Sequence, residues 1–137
     1  MTNARILIVE DEAITVSALK RELASLGYEV AGASSTTDEA PNAVELHKPD
    51  LVLMDITLAG GVNGIVAALA IRGNFHVPVV FLTAHADDWT MERAVNAGAL
   101  GYFLKPFSGT SLRAAIETAL HKHQTEMVSR RASHPAF

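Results

Sequence analysis

Three short apolar runs in this chain end abruptly in charge. They are Ile6-Leu7-Ile8-Val9 before Glu10-Asp11, Leu51-Val52-Leu53-Met54 before Asp55, and Tyr102-Phe103-Leu104 before Lys105-Pro106. Continuous runs of this length, rich in branched residues, read as strands buried on both faces of a parallel sheet. In open α/β sheets the ligand crevice lies just outside the carboxyl ends of the strands. The charges are therefore expected to converge on one edge, where acids can hold a divalent metal and a lysine can meet an anion.

Strand-like and helix-like segments alternate along the rest of the chain. Residues 5–9 read as the first strand. Ala13 to Leu26 carries Ile14, Ala18, Leu19, Leu23 and Leu26 at helical spacing, with Gly27 as its stop. Tyr28 to Ala33 reads as a strand, and a weaker helix runs through Ala43, Val44, Leu46 and His47. Pro41 is tolerable there only near the first turn. Strand three covers 51–55, Leu58 to Gly64 reads as a glycine-rich loop, and Ile65 to Ile71 as a short helix. Val77 to Thr83 is strand four, with Pro78 at its start. Asp88 to Ala97 is a fourth helix closed by Gly98, and Gly101 to Leu104 is strand five. The last helix runs from Ser108 to about His123, with Leu112, Ala115, Ile116, Ala119 and Leu120 on one face. Five βα units imply one α/β domain over 4–123, with helices on both faces of a parallel sheet. The segment 124–137 is expected to be a frayed C-terminal tail.

A length of 137 residues suits one domain with a real core, and the apolar stretches are too short to span a bilayer. Met1 to Arg5 runs straight into a strand, so no secretory signal is expected. The chain has no cysteine, which excludes disulfides and thiolate chemistry and fits a cytoplasmic protein. A net charge of −4 offers no general attraction to nucleic acid or anionic membrane, so neither direct nucleic acid binding nor membrane insertion is expected.

Each candidate residue also has a plainer reading. Glu10 and Asp11 can cap the following helix, since carboxylates favour helix N-termini. Asp55 changes that weighing, because it puts a third acid at a desolvated strand end. Like charges so close repel, and a hard cation is the simplest cure. Mg²⁺ (or Mn²⁺) takes one or two carboxylates, keeps several waters and recruits phosphate oxygens. Lys105 can be a surface lysine at a proline turn, but Leu104 and Phe107 flank it and are expected to pack its stem. Thr83 can sit in strand four by β propensity alone, or offer a hydroxyl at the same edge. Tyr102 can be a half-buried aromatic or a two-position side chain, in or out. His121 and His123 are two apart and share no helix face, so no transition-metal site is read in them. Together the acids, hydroxyl and ammonium suit an aspartyl carboxylate that accepts a phosphoryl group.

In this order and at these spacings, the motifs Ile-Leu-Ile-Val-Glu10-Asp11, Leu-Val-Leu-Met-Asp55, Val-Val-Phe-Leu-Thr83-Ala84 and Gly-Tyr102-Phe-Leu-Lys105-Pro106-Phe107 are specific. The chain resembles the receiver domain of two-component response regulators, stand-alone or excised. The resemblance implies a doubly wound, flavodoxin-like five-stranded sheet of order 2-1-3-4-5. It implies that Asp55 is the phosphoacceptor for a phosphohistidine on a sensor histidine kinase or histidine phosphotransfer protein. It assigns the metal to Glu10, Asp11, Asp55 and the backbone carbonyl of Thr57, and the phosphoryl oxygens to Thr83, Ala84 and Lys105. Thr83 and Tyr102 are then the switch residues, and Lys105-Pro106 is expected to be cis. They would alter the face made by the fourth helix, fifth strand and fifth helix, where a downstream protein or a second copy docks.

Two features depart from the family pattern. Glu10 stands where aspartate is commoner, so altered metal binding is expected. The glycine-rich loop from Thr57 to Gly64 replaces a Met-Pro-Gly type turn. Two other readings compete with a phosphorylation switch. One is a receiver fold used only for docking, against which the complete acid and lysine set argues. The other is a phosphatase of haloacid-dehalogenase type, which needs a second acid where this chain has Thr57. Only self-phosphorylation and self-dephosphorylation are therefore expected as chemistry.

Overall fold

Apolar runs that alternate with amphipathic segments have one economical solution, a sheet sandwiched between helices. The structure, a computed structural model, describes residues 4–36, 39–55, 62–83, 101–104 and 108–133. Its strands are β1 (Arg5–Val9), β2 (Glu29–Ser34), β3 (Leu51–Asp55), β4 (Val79–Thr83) and β5 (Gly101–Leu104). They form one parallel sheet of order β2-β1-β3-β4-β5, as the resemblance implies. The helices are α1 (Ala13–Ser25), α2 (Ala40–His47), α3 (Val62–Phe75) and a C-terminal helix (Gly109–Ser133). The helix expected over Asp88–Ala97 lies outside the described residues.

Alternate residues of the central strands feed two separate cores, which is why β1 and β3 read as unbroken apolar runs. Leu7, Val9, Val52, Met54 and Phe81 pack against Val44 of α2 and Ala67, Ala68 and Ile71 of α3. Ile6, Ile8, Leu51, Leu53, Val80 and Leu82 pack against Leu19 and Leu23 of α1 and against Leu112, Ile116 and Ala119 of the C-terminal helix. Ile14, expected on the inner face of α1, is 83% exposed. Leu19 lies five residues on, about 140° round the helix, so Ile14 falls off the stripe that Leu19 and Leu23 define.

Helix ends follow tertiary contacts more than composition. Pro41 sits in the first turn of α2, where its missing N–H costs nothing. The α3 helix begins at Val62 and ends at Phe75, outrunning the expected Ile65–Ile71 at both ends. Glycine inside a helix costs only about 1 kcal/mol relative to alanine, which the buried Ala67, Ala68 and Ile71 offset. The helix stops before His76, which lies in the left-handed region at φ 56°. The C-terminal helix continues to Ser133 instead of fraying from Gln124. Glutamate, methionine, arginine and alanine there are good helix formers, and Arg72 of α3 holds Glu126 at 2.8 Å.

The amino-terminal edge of the sheet is tied by Arg5. Its N–H donates to the Asp50 carboxylate at 2.8 Å, and its Nη1 donates to the His47 carbonyl at 2.6 Å, satisfying an end group of α2. Between Ile6 and Leu7 the β1–β2 register slips by one residue, so Gly32 pairs with Leu7. A Cβ on Gly32 would lie 2.9 Å from the His47 ring. Gly32→Ala is expected to lower stability by about 1–3 kcal/mol, through overpacking. In urea denaturation, adding His47→Ala should recover part of that loss, and strict additivity of the two changes would rule the clash out.

Tyr28, buried between α1 and the C-terminal helix, donates its hydroxyl to Glu117. Burial, then the hydrogen bond and the charge of Glu117, hold the phenol well above its ordinary range, with Arg113 opposing. A phenol raised in this way stabilises the fold fully below its unfolded value of about 10. That contribution is lost as pH rises further. Tyr28→Phe should therefore cost about 1 kcal/mol near neutral pH. The gap from the unaltered protein should narrow above a pH of about 10. A gap that stays constant or widens in denaturation curves at alkaline pH would contradict this.

Candidate functional site

Parallel pairing of β1 with β3 brings the acids together. Val9 lies opposite Met54, so the residues that follow, Glu10 and Asp55, emerge side by side at the carboxyl edge. Single carboxylate oxygens of Glu10, Asp11 and Asp55 lie within 4.8 Å of one another. Glu10 is 2% and Asp55 3% exposed, while Asp11 opens to solvent. The cluster thus has a dry floor and a wet rim.

The capping reading of Glu10 holds in part. Its Oε1 accepts the backbone N–H of Glu12 at 3.2 Å, and its own N–H donates to the Ser34 carbonyl at 2.9 Å. Glu12 occupies the N-cap of α1 without a side-chain cap bond. The Glu10 side chain is therefore held by the turn it also serves, with its carboxylate beside that of Asp55.

Three hard oxygen donors in so small a space repel one another when ionised, most strongly where water is scarce. The donor set suits a hard divalent cation that brings its own waters, and among the described residues no imidazole joins the cluster to favour a softer ion. Among the described residues no other group of three acids or histidines comes this close.

The sheet also orders the remaining candidates. Asp55 is opposite Leu82 in register, so Thr83 is the next residue along β4. Thr83 is in turn opposite Leu104, the last residue of β5 before Lys105. Tyr102 pairs with Phe81. Thr57, Ala84, Lys105 and Pro106 lie outside the described residues. Ser34, whose carbonyl anchors Glu10, was not singled out from the sequence; its only signal is its place at the end of β2.

Comparison with known proteins agrees with this geometry. The family model described as "Response regulator receiver domain" matches residues 6–117. The transcriptional regulatory protein PdtaR of Mycobacterium tuberculosis is 43% identical over 118 residues, which cover 86% of this chain and 57% of that one. The DNA-binding response regulator MtrA of Mycobacterium leprae is 35% identical over 122 residues, 89% of this chain and 53% of that one. The chain spans little more than half the length of these curated relatives. Among solved structures, the signal receiver domain of a modulated diguanylate cyclase from Desulfovibrio desulfuricans G20 superposes with a TM-score of 0.83. It is 34% identical, and the match covers 91% of this chain and 99% of that one. No helix among the described residues is long and apolar enough to cross a membrane.

The crowding of acids predicts a thermal signature. Mg²⁺ should raise the melting temperature of the unaltered protein. Asp55→Asn should raise the metal-free melting temperature, since one charge of the repelling set is gone, and should flatten the Mg²⁺ response. A relief of about 1 kcal/mol corresponds to roughly 3–6 °C for a domain of this size. Unfolding scans with Mg²⁺ and with a chelator check this, and equal metal responses in both proteins would refute it.

Proposed function

The chain belongs to the response regulator receiver domain family, and on that premise we propose that Asp55 accepts a phosphoryl group from a phosphohistidine of a sensor histidine kinase or histidine phosphotransfer protein. The observation that carries this reading is the burial of Asp55 beside Glu10 and Asp11 at the carboxyl edge of the sheet. A carboxylate oxygen of Asp55 attacks phosphorus in line, and the histidine nitrogen leaves with the bonding pair. Bound Mg²⁺, or Mn²⁺, neutralises charge on the transferring oxygens. Glu10, Asp11, Asp55 and the Thr57 carbonyl hold it in this proposal. Glu10 has a longer side chain than aspartate and can reach the ion through water.

Thr83, Ala84 and Lys105 receive the phosphoryl oxygens, Lys105 as a point charge and Thr83 through its hydroxyl. A new dianion at the edge draws Thr83 inward, and Tyr102 follows into the space it leaves. A cis Lys105-Pro106 bond aims the ammonium. The receiver, which we take as residues 4–123, then presents an altered face to a downstream protein or to a second copy of itself. The domain needs no direct contact with nucleic acid for this, and it meets its kinase in the cytoplasm. Turnover of ordinary phosphate esters is not expected, because Thr57 cannot protonate a leaving group.

The test is labelling by acetyl phosphate, followed by intact mass. The unaltered protein should gain one phosphoryl group with Mg²⁺ and none with a chelator, and Asp55→Asn should gain none. Full labelling of Asp55→Asn would reject Asp55 as acceptor. No response to metal or phosphodonor by any probe would leave docking as the function.

A further inference from the structure

We propose that Arg72, His123 and Glu126 form a proton-sensitive latch that holds the distal part of the C-terminal helix to the end of α3 and opens on mild acidification. The helix starts on one face of the sheet, where Leu112, Ile116 and Ala119 are buried. The same helical stripe continues through His123, Glu126 and Met127. Those three side chains line a cavity of about 20 Å³ with Arg72 and His76, at the end of a helix that packs on the opposite face. The latch therefore joins the two helical layers around the amino-terminal edge of the sheet.

The geometry fixes a protonation state. Arg72 Nη1 lies 3.4 Å from His123 Nδ1, and Arg72 Nη2 lies 2.8 Å from Glu126 Oε1. Guanidinium has only donors, so Nδ1 of His123 must accept and carries no proton in this arrangement. Protonating the ring sets an N–H against an N–H and a cation against a cation. Arg72 from α3, His76 just beyond it and Glu126 on its own helix line this cavity with His123. Glu126 attracts an imidazolium but is engaged by Arg72, so the two cations compete for one carboxylate.

The latch matters because the core packing that anchors the start of the helix stops short of this part. From Leu120 to Val128 no side chain is fully buried. A helical end without a fully buried side chain opens locally at small cost, and the polar contacts to Arg72 weigh in its population. Imidazole changes charge between about pH 5 and 8, so the response falls within physiological range.

Amide hydrogen exchange over 121–133, corrected for intrinsic rates, tests this in the full chain. Protection should fall about fivefold to tenfold between pH near 7.5 and 5.5, the worth of one hydrogen bond. His123→Gln keeps a non-titrating acceptor and should abolish that fall, while His76→Gln should retain it. Glu126→Gln should lower protection at both pH values. Constant protection in the unaltered protein, an unchanged fall in His123→Gln, or its loss in His76→Gln would overturn the proposal. Imidazole nitrogen shifts give an independent reading. Nδ1 of His123 should be unprotonated at neutral pH, and a proton on it there would also overturn the latch.

Discussion

The pairing of β1 with β3 is the constraint on which the site depends. It places the carboxyl ends of two strands with buried apolar runs side by side, and acid stands at the end of each. The apolar side chains of both strands hold that pairing by packing alternately into the two cores. Folding thus forces like charges together that would otherwise stay apart. The energy of that encounter is set by the dryness beneath Glu10 and Asp55 and by the solvent above Asp11. A cation, or the neutralisation of one acid, would lower that repulsion.

Much of the fold was legible because it rests on short-range signals. Branched runs marked β1, β3 and β4, and charge at their ends marked the edge. The strand order came from resemblance, since nothing in the periodicity says that β1 lies between β2 and β3. The acid cluster was readable because three residues in two motifs define it. The distal C-terminal helix was not, since its support comes from Arg72, far away in sequence. Ile14 shows the opposite error, an apolar residue at helical spacing that the actual stripe leaves in water.

The family assignment and the geometry contribute different things. The family motivates the role we propose for Asp55, and the structure shows that residue buried and crowded by two other acids. Glu10 shows why both are needed. A longer acid at this position is a departure by motif, yet its carboxylate is buried beside Asp55 and tied to the start of α1. The metal site we propose and that turn therefore share one side chain.

Lys48 closes α2 with a left-handed backbone at φ 48°, a conformation that suits glycine far better than lysine. It lies at the amino-terminal edge, across the sheet from the acids. Strain left there by drift can be relieved by a single substitution with no effect on the chemistry of the opposite edge. In evolutionary terms, such a protein can tolerate damaging changes near its acids, because a margin of robustness is in reach at a remote corner.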